Sequence, residues 1–87
     1  MTFKLDIDSI AHAQIQDLPV PVLALLAEAL TVLALVPQTT GEPYHRDNPD
    51  GLRRLLFGPH REGQILYLPL PDQDRVDVLR VDWLTLD

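Results

Sequence analysis

The run Val20–Val36, VPVLALLAEALTVLALV, constrains this chain more than any other stretch. Glu28 and Thr31 are its only polar residues, and Pro19 and Pro37 flank it. Nothing else in the 87 residues offers comparable apolar surface, so the remainder must pack around it. It is short for a membrane span, carries a central glutamate, and has Pro21 in its first turn. The residues before it hold Asp6, Asp8 and Asp17 against Lys4, the reverse of a basic secretory leader. The expectation is a soluble, cytoplasmic protein without a membrane partner, in which this run is the main core helix. A helical wheel gathers Val22, Leu26, Ala29, Leu30 and Leu33 on one side. Leu23, Val32 and Leu35 extend the apolar arc well past the roughly 100° that a surface helix buries. Burial on two sides is therefore expected; exposure of Leu23, Val32 and Leu35 would instead mark a partner surface.

Around this helix the chain reads as one α+β domain, 1–87. Thr2–Ile7 alternates, with Phe3, Leu5 and Ile7 on one face, which predicts a half-buried strand. Asp8 or Ser9 can cap a first helix through SIAHAQIQDL, and Pro19 and Pro21 separate it from the second. Residues 37–50, PQTTGEPYHRDNPD, carry the signals of a long loop. Three strands follow, at 52–57, 64–70 and 75–84. The connections between them are short enough for an antiparallel meander. In the last strand, strict alternation sets Asp77, Leu79, Val81 and Trp83 against Val76, Val78, Arg80 and Asp82. The first set is expected to meet the helices. The architecture predicted is an N-terminal strand, a two-helix hairpin and a three-stranded antiparallel meander, with the helices on one face of the sheet.

A net charge of −6 argues against nonspecific coating of nucleic acid. The charge is uneven, however. Residues 44–61 hold four arginines against Asp47 and Asp50, a net of +2, so any anion site belongs there. Tyr44, His45, Arg46, Arg54, His60 and Arg61 would form one if the loop folds over the sheet. The plainer expectation is that Arg46, Arg53 and Arg61 are solvated and paired with Asp47, Asp50 and Glu62. The chain has no cysteine, which removes disulfides and thiolate chemistry. His12, His45 and His60 lack ligand spacing, and no phosphate loop, dinucleotide fingerprint or nucleophile elbow is present. Neither a metal nor a cofactor is expected.

Three motifs in this order, GLRRLLFG (51–58), QILYL (64–68) and RVDVLRVDWL (75–84), resemble the meander of the RelE/ParE toxin superfamily, and the likeness extends over nearly the whole chain. The resemblance implies the toxin component of a bacterial toxin–antitoxin pair, neutralised by a cognate antitoxin. In RNA-cleaving members a 2′-OH attacks the adjacent phosphate of ribosome-bound mRNA, and basic side chains on the open sheet face stabilise the charge. The resemblance makes Arg54 and Arg80 the comparable basic residues, with His45, Arg46 and Arg61 as further candidates. Gln64, Trp83 and Leu84 stand where the family carries basic side chains. That departure supports an alternative, a non-catalytic or gyrase-binding interaction module on the same scaffold. A third reading is an unrelated α+β homodimer joined through strand edges or the second helix.

Overall fold

The computed structural model of the protein describes residues 2–84. Its elements run β1 (Lys4–Ile7), α1 (Ser9–Gln16), α2 (Val20–Leu35), β2 (Glu42–Pro43), β3 (Arg53–Phe57), β4 (Gly63–Leu70) and β5 (Arg75–Trp83). The strands form one sheet in the order β1-β5-β4-β3-β2. β1 runs parallel to β5, and every other pairing is antiparallel. The expected strand, helix pair and meander are all present. The addition is β2, two residues of the long loop that pair with Arg53 and Arg54.

Local chemistry explains the helix boundaries. Asp8 caps α1, its Oδ2 accepting the Ile10 N–H at 3.1 Å. Pro19 stands at the N-cap of α2, where its fixed φ suits the turn into the helix. Val36, at φ −138°, ends α2, and Pro37 behind it is buried. The helix backbones run closest to different strands, α1 to β5 and α2 to β3, so the sheet spaces the predicted helical hairpin.

The core lies between α2 and one face of the sheet. Val22, Leu26 and Leu33 from the helix meet Ile65, Tyr67, Val76, Val78 and Val81. Phe3, Leu5 and Ile7 are half-buried around them, as the β1 alternation predicts. The strict alternation expected of β5 fails, and a bulge is the reason. Leu66 pairs with Arg80 but Tyr67 pairs with Val78, leaving Leu79 as the extra residue. Val76 and Val78 therefore face the core before the bulge, and Val81 faces it afterwards. One inserted residue lets both halves of the strand bury valine.

Beyond Val78, β5 has lost its β1 neighbour, and a side chain takes that place. Gln14 of α1 accepts the Val81 N–H on Oε1 at 2.7 Å and donates from Nε2 to Asp82 at 3.3 Å. The amide closes a strand edge that would otherwise lie open.

Two-sided burial of α2 is not what forms. Val20, Leu23, Val32, Leu35 and Val36 are between 39% and 79% exposed, because the sheet covers only the side bearing Val22, Leu26 and Leu33. Leu26, at 3% exposure, marks the covered side. Leu26→Ala should cost about 2–5 kcal/mol in denaturant unfolding, whereas Leu23→Ala should stay within about 0.5 kcal/mol. Equal losses at the two positions would contradict this packing.

Candidate functional site

Alternation along β3 divides its two arginines between opposite faces. Arg53 points into the core side opposite Tyr67, and Arg54 points to the open face opposite Leu66. Arg53 is buried at 8% exposure, and among the described residues it has no carboxylate partner, contrary to the expectation of a solvated, paired side chain. Its guanidinium donates to the carbonyls of Thr40, Gly41 and Pro49 at 3.2–3.4 Å. The Tyr67 hydroxyl donates to the Thr40 carbonyl, with the Pro37 carbonyl 3.1 Å away. Loop carbonyls beyond the end of α2 thus replace water for two buried polar side chains. Burial pushes the Tyr67 hydroxyl above its ordinary pKa, and Arg53 partly offsets the rise.

This arrangement lays β2 along β3. Gly41 sits at φ +70°, and a side-chain carbon there would strike the Arg54 carbonyl. Glu42 then pairs with Arg54, and its Oε1 lies 2.8 Å from the Arg54 Nε. On the far side of β3, the turn into β4 is closed by Arg61 N–H donating to Gly58 O at 3.2 Å, with Arg61 at φ 59°. The result is a cleft of about 250 Å³ lined by Gly41, Glu42, Arg54, Leu55, Leu56 and Arg61.

Of the residues singled out by sequence, the cleft unites Arg54 and Arg61. Arg80 lies elsewhere on β5, exposed and 3.5 Å from Asp82. His45 and Arg46 are exposed in the loop, with the His45 ring edge-on to Tyr44 at a 5.0 Å centroid separation. Among the described residues Arg46 and Arg61 make no ion pair, and Glu62 accepts the His60 backbone N–H instead. The positions at which the resemblance predicts basic residues do other work. Trp83 packs on Phe57 at 5.8 Å and covers Gly58, while Gln64 sits on the open face opposite Leu56. Leu84 is exposed. The remaining open-face arginine, Arg75, holds Asp77 at 2.9 Å. Among the described residues no cluster of histidines and carboxylates could hold a metal ion, and no helix is long and apolar enough to cross a membrane.

No protein-family model and no curated protein matches the sequence. Solved structures do match. A chain of the toxin–antitoxin complex RelBE2 from Mycobacterium tuberculosis superposes with a TM-score of 0.81 at 24% identity, covering 97% of this chain and 100% of that one. The isolated E. coli RelE toxin gives 0.79 at 17% identity, covering 98% and 87%. The archaeal RelE–RelB complex from Pyrococcus horikoshii OT3 gives 0.64 at 15%, covering 95% and 96%. The chain has the RelE fold. The resemblance in the meander motifs therefore extends to the whole backbone arrangement, with β1 beside β5 and the helices on one face. At these identities side-chain roles do not transfer with the fold, and the cleft of this chain stands on its own residues.

The buried hydroxyl gives a pH test. A folded-state pKa above the unfolded value means that Tyr67 contributes fully below about pH 10 and that its contribution is lost as pH rises through the higher folded value. Tyr67→Phe should cost about 1–3 kcal/mol at neutral pH and flatten the loss of stability above pH 10. An unchanged alkaline limb in urea unfolding would assign that loss to other groups.

Proposed function

We propose that this protein is the toxin component of a toxin–antitoxin pair, held inactive by a cognate antitoxin and acting on ribosome-bound mRNA. The observation that carries the reading is the nearly full-length likeness of its backbone to chains of RelBE complexes. The mutant E. coli RelE solved with an antitoxin RelBc peptide is a further likeness, at TM-score 0.76 and 18% identity. The exposed apolar side of α2 supports the partner. Between α2 and β3 lies an apolar groove of about 370 Å³, lined by Leu25, Ala29, Val32, Leu55 and Phe57 among others. An amphipathic antitoxin segment would bury this surface.

On the catalytic reading, Arg54 and Arg61 hold the scissile phosphate in the cleft and oppose the charge that develops as a 2′-OH attacks it. Arg80 flanks the same open face. His45 and Arg46 join when the substrate draws their loop inward; water takes the 2′-OH proton as the P–O5′ bond breaks, and His45 protonates the leaving 5′ oxygen. A second reading, a non-catalytic or gyrase-binding module, has its own support. Arg54, Arg75 and Arg80 all stand against carboxylates, and Gln64, Trp83 and Leu84 add no charge.

Expression of the chain alone in bacteria separates these readings. The catalytic toxin arrests growth with cleaved mRNA, and Arg54→Ala lowers cleavage by about 100-fold, the usual loss on removing one charge-stabilising donor. Arrest with intact mRNA selects the binding module, and unimpeded growth contradicts the toxin reading.

A further inference from the structure

The cleft between β2 and the β3–β4 turn contains a contradiction for a phosphate site, since its two arginines share their walls with a carboxylate. Glu42 meets Arg54 through Nε alone, and among the described residues the Arg54 Nη groups have no hydrogen-bond partner. Arg61, across the cleft, has no ion pair there either. An oxyanion entering the cleft would find Arg61 and the outer edge of Arg54 free, but the inner edge of Arg54 already taken.

We infer that Glu42 is a carboxylate gate on an RNA-phosphate site formed by Arg54 and Arg61, occupying the place on Arg54 that a substrate oxyanion takes when it binds. The inference rests on the mRNA-cleaving reading proposed above. Three features suit Glu42 to be displaced. Its pair with Arg54 is exposed on both sides, 43% for Arg54 and 55% for Glu42, so holding it closed contributes little. The strand that carries it is only two residues long and lies at the sheet edge. Its backbone is anchored just upstream, because Arg53 binds the carbonyls of Thr40 and Gly41, so the side chain can swing out while β2 stays in place. A phosphate has to outcompete Glu42 for a guanidinium that accommodates planar, two-oxygen ligands. Single weak phosphate contacts are thereby rejected, and an RNA held by the ribosome at high local concentration is admitted.

Fluorescence anisotropy with a short single-stranded RNA carrying 2′-O-methyl riboses measures the gate without cleavage. Glu42→Gln should tighten binding about fivefold at low salt, with the gain shrinking as salt screens the site. Asp77→Asn makes the same change in net charge at the Arg75 pair, away from the cleft, and should alter affinity by less than about twofold. Adding Arg61→Ala to Glu42→Gln should remove the gain. No gain in Glu42→Gln, a gain no larger than that of Asp77→Asn, or a gain that survives Arg61→Ala overturns the gate. The growth assay is independent. Growth arrest with mRNA cleavage but no gain in Glu42→Gln refutes the gate alone, and the specified gain without arrest supports the gate while refuting the toxin reading.

Discussion

The hydrogen bonds from Arg53 and Tyr67 to the carbonyls that follow α2 are the interaction on which the cleft-bearing half of this structure depends. A strand residue facing the core is normally apolar, and a buried guanidinium carries a heavy desolvation cost unless polar groups surround it. Here the loop supplies them. In return the loop is drawn against the sheet, its carbonyls are satisfied, and Glu42 and Pro43 fall into register on β3. Without those bonds the connection from α2 to β3 would have little holding it, since its side chains from residues 44 to 50 are exposed.

The same anchoring explains why the Arg54 wall of the cleft is charge-compensated, while among the described residues Arg61 is left without an ion pair. Laying β2 on β3 brings Glu42 to Arg54, and residues two apart on β5 make the pairs Arg75–Asp77 and Arg80–Asp82. The open face thus carries arginines without a net positive field from these pairs, consistent with the chain's negative balance. On such a face an anionic ligand reaches the whole guanidinium of Arg54, Arg75 or Arg80 only by displacing a carboxylate already present. That differs from a uniformly basic surface, where long-range attraction dominates.

Periodic features were legible in the sequence. Phe3, Leu5 and Ile7 alternate as β1 requires, and the wheel for α2 assigns Val22, Leu26 and Leu33 to the sheet side where they are found. Features created by a partner strand or loop were not. The bulge at Leu79 depends on how β5 registers against β4, so simple alternation put Val76 and Val78 on the wrong face. β2 is too short to show any period, and its existence follows from where residues 37–41 are tied. Arg53 and Arg54 are indistinguishable as neighbours in a string, although strand alternation places one in the core and one in the cleft. Gln14 gave no signal at all, because its role is set by the point at which β1 stops short of Val81. Leu23, Val32 and Leu35 had been expected under a second covering layer, which a chain with one sheet face of helices does not supply.

Native-state hydrogen exchange in Tyr67→Phe tests most directly whether the carbonyl clamp, and not β2 pairing itself, holds the cleft together. The Tyr44 N–H donates to the Leu52 carbonyl at 2.8 Å and reports on β2. The Val81 N–H, bound to Gln14, reports on β5. The account predicts that Tyr44 loses protection by about tenfold or more beyond any change at Val81. Parallel loss at both amides, or full protection retained at Tyr44, would contradict it.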